Sequence, residues 1–178
     1  MKPKFIDYFM DIAERTAQLS YAKRLQVGAV IVKGNQILAS GYNGMPSGWE
    51  NNCETKEWMA LENPDFYTEE EIEQNWPYVA HSDDPVGSND SGYIGRYRLK
   101  SKPEVLHAEM NALMRLAAST ESSIGSTLFI THSPCLECAK AIYQSGIGTV
   151  YYKHDYRSVE GVEFLKKTGV HVHKYSQI

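Results

Sequence analysis

The sequence predicts an α/β fold, a three-layer α/β/α sandwich in which helices lie on both faces of a mixed five-stranded sheet. Three observations favour this fold. Apolar residues repeat at helical spacing near the N-terminus, two β-rich runs separated by a short turn come next, and strands alternate with helices over the second half. Because parallel strands need crossover connections, the alternation predicts parallel pairing there.

The first elements read as a helix followed by a hairpin. Apolar residues recur every three or four positions, which predicts an amphipathic helix over residues 3–19. Residues 26–32 (QVGAVIV) and 36–40 (QILAS) are rich in β-formers, and the intervening Lys33, Gly34 and Asn35 are typical of a hairpin turn.

A glycine-rich segment, GYNGMPSG at residues 41–48, follows the hairpin. Three glycines, a proline and an asparagine predict an irregular loop whose amide groups are free to meet a ligand. The Asn43 side chain offers both a donor and an acceptor, which suits a sugar hydroxyl. An ordinary turn would have the same composition.

The second half alternates strands and helices. Ser133 and Pro134 are typical of an N-cap and a first helical position, which would place Cys135 and Cys138 on the first turn of a helix. The predicted elements, in order, are a helix after His107, a strand at 126–131, the helix at Ser133, a strand at 149–152, a helix at 159–167 and a strand at 170–174.

The chain has 178 residues, of which 42% are apolar, and this suits one well-filled core. We therefore expect a single domain over residues 1–178 with a loop-rich insertion at about 49–102. Polar clusters and separate prolines mark the insertion, residues 68–76 could form a short helix, and residues 82–95 read as a loop.

The insertion is acidic. Residues 50–90 hold twelve of the 22 acidic residues but only one of the 18 basic residues, so the rest of the chain is net basic. An acidic segment near a site would repel extended nucleic acid, so we expect a small phosphorylated ligand and no nucleic-acid partner. A solvated acidic loop that only keeps the surface soluble explains the charges equally well.

Cysteine usage and hydropathy indicate the compartment. Three cysteines make no disulfide framework, which suits a reducing cytosol. The chain has no run of eighteen apolar residues, and residues 1–12 lack a signal-peptide core. We expect a cytoplasmic protein that does not enter a membrane.

The strongest chemical signal is a set of metal-ligand types. Cys135 and Cys138 form a C-x-x-C after a proline, and both sulfurs can reach one ion. His107 would be the third ligand of a zinc ion. Three protein ligands leave the fourth tetrahedral position for water, whose pKa falls to roughly 7 on zinc, which is the mark of a catalytic site.

Glu109, two residues after His107, gives that site a proton shuttle. A carboxylate beside zinc can take a proton from water, protonate a ring nitrogen and deliver a proton to departing ammonia. The combination H-x-E with P-C-x-x-C is the signature of zinc nucleobase deaminases. The alternative is a structural zinc site with Cys53 as its fourth ligand, which would leave Glu109 without a role. We expect Cys53 to be an ordinary buried thiol.

The HDYR segment, residues 154–157, follows a predicted strand at the sheet end where ligands tend to bind. Tyr156 could stack on a base or border the pocket. Arg157 could face a phosphate, although a solvated arginine is the commoner case, and His132 could simply shape the loop before Ser133.

In the order VGAVIV, GYNGMPSG, HAEMNAL, THSPCLECAKAI and HDYR, the chain resembles the deoxycytidylate deaminases of the cytidine deaminase superfamily over essentially its whole length. The resemblance implies the cytidine deaminase-like fold and the hydrolysis of dCMP to dUMP and ammonia, which supplies the thymidylate precursor. It makes Glu109 the proton shuttle and places Asn43 and Tyr156 at the substrate. The zinc ligands it implies are His107, Cys135 and Cys138.

The resemblance also implies regulation and assembly. The family is typically hexameric, activated by dCTP, and inhibited by dTTP with Mg²⁺. Some relatives hold a second, structural zinc around the insertion, which here would rest on Cys53. The expected effector-site residues are Lys23, Arg24, Asn43 and Gly44.

Two other functions remain open on the sequence alone. Zinc chemistry is shared by deaminases of free nucleosides and of tRNA adenosine, since the pocket walls decide the substrate. An RNA-acting member would be expected to carry a basic flank, and the acidic insertion argues against one. The other is a non-catalytic, zinc-stabilised interaction module.

Overall fold

The computed structural model describes residues 1–60, 67–79 and 93–176. The chain divides into two compact units. The first comprises Met1–Cys53 with Glu104–Ile178, and the second comprises Glu54–Pro103. Each is described separately.

The first unit is built on a mixed five-stranded sheet, as predicted. The strands are β1 (Gly28–Lys33), β2 (Gln36–Tyr42), β6 (Thr127–His132), β7 (Thr149–His154) and β8 (His171–Lys174). Their order in the sheet is β2-β1-β6-β7-β8, in which β1 is antiparallel to β2 and β6, while β6, β7 and β8 run parallel.

Helices cover both faces of this sheet. The helix α1 (Pro3–Ala17) packs on one face, where its Phe9 shares a core cluster with Val30 and Phe129 of the sheet. The other face carries the larger core, which joins the sheet to three helices through residues such as Ile31 and Leu165. These helices are α3 (Ala108–Ala117), α4 (Leu136–Gln144) and α5 (Glu160–Lys167). The predicted three-layer sandwich is therefore confirmed.

The second unit differs from the loop-rich segment that the sequence predicts. Its three strands form an antiparallel sheet in the order β3-β5-β4. The predicted short helix is present, and Thr68 caps it in a capping box with Glu71. The elements are β3 (Glu54–Ala60), α2 (Glu69–Asn75), β4 (Tyr78–Val79) and β5 (Tyr93–Ser101). Most of the predicted 82–95 loop lies outside the described residues.

The strands of this unit are stabilised by contacts that the spacing of apolar residues does not reveal. Cross-strand pairs hold the sheet, because Glu57 accepts a 2.6 Å hydrogen bond from Arg98 and Trp58 packs on Tyr97 with ring centroids 4.9 Å apart. A small sheet held by charged and aromatic pairs shows no simple alternation of polar and apolar residues. None of the helices within the described ranges is long and apolar enough to cross a membrane.

Candidate metal centre and active site

The structure brings the three predicted metal ligands together. His107 Nδ1 lies 3.6 Å from Cys135 Sγ and 3.4 Å from Cys138 Sγ. A tetrahedral zinc ion with bonds of about 2.0–2.1 Å to nitrogen and about 2.3 Å to sulfur would hold such atoms roughly 3.6 Å apart. The donor set therefore fits zinc. In the described part of the chain, no other group of three such side chains comes this close.

Two helix starts carry the ligands. His107 is the N-cap of α3 and Cys135 is the N-cap of α4, each with extended backbone. The sequence placed the N-cap of α4 at Ser133, and this was wrong, because Ser133 and Pro134 lie before the helix, which begins at Leu136. The positive ends of both helices face the site and favour thiolate over thiol.

The two thiols differ in their hold on a proton. Hydrogen bonds from Cys138 and His107 lower the pKa of Cys135 to about 3. The hydrogen bond between the two cysteines raises the pKa of Cys138, and so does burial of its thiol. The bond to Cys135 also raises the pKa of His107. Cys135 is therefore a thiolate that Cys138 and His107 stabilise through their protons.

Glu109 lies in the first turn of α3, beside this group. Its side chain is only 4% exposed, and burial raises the pKa of the carboxyl to about 7. A carboxyl with a pKa near neutrality can both accept and donate a proton at physiological pH. Exposure is graded across the ligands, since His107 is exposed, Cys135 is half-buried and Cys138 is buried. The site is therefore open to solvent on the side of His107.

The strand β2 packs closely against α3 and fixes the position of this helix. The sequence did not reveal this contact. A Cβ on Gly41 would lie 2.4 Å from Ala108 O and 2.4 Å from Ala112 N, so glycine is required for the helix to come this close. On either side of Gly41, Asn111 donates to Tyr42 O at 2.8 Å and Arg115 donates to Ser40 O at 2.9 Å. The sequence analysis placed Gly41 in the loop 41–48, whereas β2 extends to Tyr42. A glycine inside a strand often marks a close backbone approach.

The segment that carries Cys135 is held by the end of β7. The Ser133 N–H donates to His154 O at 2.9 Å, and Ser133 Oγ accepts from the Tyr156 N–H at 2.7 Å. Ser133 is only 6% exposed. Its hydroxyl therefore links the predicted substrate residue Tyr156 to the metal-ligand segment, in place of the N-cap role that the sequence suggested.

Asn43 and Gly44 are well bonded within the first unit. Asn43 Oδ1 accepts from Val27 N and Nδ2 donates to Leu25 O, both at 2.8 Å. Gly44 pairs with Leu106 through two main-chain hydrogen bonds of 3.1 and 2.9 Å. The backbone N–H groups of Asn43 and Gly44 donate to Val27 O and Leu106 O. They are therefore not free for a ligand, whereas the loop prediction assumed that they were. The Asn43 side chain keeps one N–H and one lone pair, so its sugar contact stays a prediction.

The remaining predicted residues lie at the surface or near it. Lys23 and Arg24 are exposed between α1 and β1, and Tyr156 is half-buried with the Arg157 guanidinium 5.3 Å from its ring centre.

His132 stacks near His154, with ring centres 5.1 Å apart, and its Nδ1 lies 3.1 Å from Thr131 Oγ1. Burial, with a smaller contribution from His154, lowers the pKa of His132. Neither histidine joins the metal-ligand group.

Cys53 does not join the metal-ligand group. It is 1% exposed, and its thiol lies 3.6 Å from Asn51 O. This agrees with the predicted buried thiol, and among the described residues it leaves no four-ligand site with His107. His81, the other metal-ligand type in the insertion, lies outside the described residues.

Comparison with known proteins agrees with this geometry. Residues 3–154 match the family model described as the cytidine and deoxycytidylate deaminase zinc-binding region. The chain belongs to this family. The deoxycytidylate deaminase of Enterobacteria phage T4 is 32% identical over 92% of this chain and 86% of its own. The human deoxycytidylate deaminase is 32% identical over 84% of this chain and 64% of its own.

A solved structure extends the likeness to the fold. The dCMP deaminase from the cyanophage S-TIM5, in complex with dCMP and dUMP, is 37% identical and superposes with a TM-score of 0.71. The match covers 98% of this chain and 99% of the phage protein. The cytidine deaminase fold and the deaminase class that the sequence predicts are confirmed.

Proposed function

We propose that this protein hydrolyses dCMP to dUMP and ammonia. The observation that carries the proposal is the buried carboxyl of Glu109 beside a His-Cys-Cys group whose N···S distances suit zinc. The cyanophage relative bound to dCMP and dUMP supports the choice of substrate. The oxygen of water adds to C4 of the cytosine, the bond between C4 and the amino nitrogen breaks, and ammonia leaves.

The chain's own groups divide the work. When bound by His107, Cys135 and Cys138, zinc supplies a water molecule of lowered pKa. The Glu109 carboxylate would take a proton from the attacking water, pass it to N3 of the base, and later deliver a second proton to the departing amine. Burial keeps competing water away from this carboxyl and raises its pKa to about 7, so that it can accept and donate a proton near neutral pH. Asn43 binds the sugar and Tyr156 borders the base and phosphate.

The substrate assignment is tested by ammonia release from dCMP, deoxycytidine, CMP and dCTP at equal concentration. We expect dCMP to give the highest kcat/KM. A preference for the free nucleoside would refute the proposed substrate while leaving the deaminase class intact.

A Glu109→Gln variant tests whether the site is catalytic, with the exposed Glu104→Gln as a matched control. The amide has nearly the same volume as the carboxyl, so the variant should still bind one zinc ion. Ammonia release should fall by about 10²–10⁴-fold, because general acid–base catalysis is lost. Zinc bound with no ammonia release in either form would favour a zinc-stabilised interaction module instead, and full activity in the Glu109 variant would refute Glu109 as the proton shuttle.

Regulation by nucleotides is part of the proposal: dCTP activates, and dTTP with Mg²⁺ inhibits, through Lys23, Arg24, Asn43 and Gly44. The contact that supports it is the pairing of Gly44 with Leu106, which directly precedes the ligand His107. A nucleotide that moves the loop at Gly44 would thereby move the metal-ligand segment. Activity against dCMP concentration, with and without dCTP, measures this, and curves that coincide would reject it.

We further propose that the protein is a cytoplasmic homohexamer with one deaminase domain per chain, in which residues 49–102 are an insertion. Large apolar side chains are exposed in the first unit, including Tyr21 at 65% and Leu19 at 58%, which suits burial against other copies. The three cysteines form no disulfide, which suits a reducing compartment. Light scattering of the purified protein measures the assembly, and a monomer at working concentration would reject it.

A further inference from the structure

Gly161 lies against the main chain of the metal-ligand segment. It is buried near the start of α5, and a Cβ at this position would lie 2.0 Å from Pro134 O and 2.9 Å from both the carbonyl carbon and the oxygen of Cys135. All three neighbours are backbone atoms. Unlike the end of a flexible side chain, they cannot turn aside, so an added methyl group must displace α5 or the segment itself.

The segment is also held from its other side. Ser133 exchanges hydrogen bonds with the end of β7, donating to His154 O and accepting from Tyr156 N. The Cys135 carbonyl oxygen accepts the first helical bond of α4, from Ala139 N at 2.9 Å. A displaced segment would therefore have to break one of these bonds or rotate about Cys135.

The α5 helix cannot easily retreat either. Val162 and Leu165 are 8% and 0% exposed and belong to the core shared with the sheet and α4. Moving α5 outward would open space around these side chains, and close-packed interiors resist such gaps. The displacement is thus shared between the core and the conformation of Cys135.

We infer that Gly161 is a positioning residue for the metal ligand Cys135: its missing side chain lets α5 press the Pro134–Cys135 backbone into the conformation that aims Sγ at His107. This rests on the metal-binding part of the proposed function. Alanine is a better helix former than glycine, so without this contact a Gly161→Ala change would strengthen α5. The expected effect on the metal site has the opposite sign, which makes the substitution diagnostic.

The test measures the metal and not only the turnover. Full-length wild-type and Gly161→Ala proteins are titrated with zinc against a competing chelator, and the cobalt-substituted forms are examined by absorption spectroscopy. Residues that orient metal ligands typically change affinity by about 10–100-fold, and we expect a zinc affinity weakened within that range. The cobalt d–d bands should shift, because the Cys135 thiolate is displaced.

Two matched variants separate ligand placement from general loss of stability. Gly148→Ala adds a methyl group that lies 4.0 Å from its nearest neighbour, Gly125 Cα, so it should leave the metal site unchanged. Val162→Ala removes packing from the same helix and adds no atom against the Cys135 backbone. It should lower thermal stability but keep the wild-type zinc affinity and cobalt spectrum.

Each outcome decides the inference. A weaker zinc affinity and a shifted spectrum in Gly161→Ala alone support it. Wild-type zinc affinity in Gly161→Ala, or the same spectral shift in Val162→Ala, overturns it. Failure of Gly161→Ala to fold while Val162→Ala folds also overturns it, because the residue would then serve folding and not ligand placement. A wild-type protein that binds no zinc would instead refute the proposed function.

Discussion

Replacing Gly41 with alanine should lower the catalytic rate, because the new methyl group would displace α3, the helix that carries Glu109. Gly41 pairs with Ala29 inside the sheet and has no contact with the metal ligands among the described hydrogen bonds. Its Cα faces the first turns of α3, where the main chain of Ala108 and Ala112 lies against it. Ala108 stands between His107 and Glu109, so any movement of this turn moves a ligand and the proton shuttle together.

The size of the effect follows from the distances. The new Cβ would lie 2.4 Å from Ala108 O and Ala112 N. Non-bonded atoms prefer separations of about 3.5 Å, so α3 and β2 must separate by roughly 1 Å. A misplacement of about 1 Å at a reacting group can cost about 10²-fold in rate. Overpacking at such a contact costs about 1–3 kcal/mol of folding stability.

The assay is the steady-state release of ammonia from dCMP, together with the zinc content and the thermal unfolding of the same preparation. We expect kcat/KM to fall about 100-fold in Gly41→Ala. Gly41→Ser should be worse, because the added atoms need still more room. Gly148→Ala is the control, since its methyl group meets nothing closer than 4.0 Å. Wild-type kcat/KM in a folded, zinc-loaded Gly41→Ala protein would refute the argument from close approach.

Three further substitutions test single contacts. Ser133→Ala leaves the partly buried Tyr156 N–H without its 2.7 Å acceptor, so stability should fall by about 1–3 kcal/mol in chemical denaturation and KM for dCMP should rise more than kcat falls. Asn43→Ala removes two 2.8 Å bonds to the main chain and should cost about 1–3 kcal/mol even without ligand; unchanged unfolding would contradict this. Burial and the bond to Asp7 raise the pKa of Tyr175 to about 12, so this tyrosine stabilises the fold below pH 10 and the gain is lost as pH rises toward 12. In Tyr175→Phe the alkaline fall in unfolding midpoint over that range should be smaller than in the wild type.

The sequence was informative about elements that bury one apolar face. The α1 helix, the β1–β2 hairpin and the alternating second half were all predicted, because burial against a common core imposes periods of 3.6 and 2 on the apolar residues. The second unit escaped the same reasoning. Its strands rely on cross-strand pairs such as Glu57 with Arg98, and such pairs join residues far apart in the chain.

The site was predicted to the level of residue types and no further. The H-x-E and C-x-x-C spacings place donors by local geometry, so His107 and the two cysteines could be assigned from the sequence. The residues that hold these segments act across the fold. From the sequence, Gly41 was interpreted as part of a loop and Ser133 as a helix cap. Their actual contacts were missed because they depend on tertiary packing, which no local pattern encodes.

The graded burial of the site suggests how specificity and chemistry are separated in the proposed reaction. Glu109 and Cys138 are buried, so the proton shuttle works in a place that the fold keeps constant. His107 is exposed, and the residue before it, Leu106, is paired with Gly44 of the glycine-rich segment. The segment that we propose to contact the sugar is therefore tied to the open side of the site. A change in this segment alters the solvent-exposed side of the site and the position of His107 together. Glu109, by contrast, is held in place by the packing of α3 on β2. In the proposed reaction, the segment that contacts the sugar can therefore differ in sequence while α3 and β2 keep Glu109 in its place.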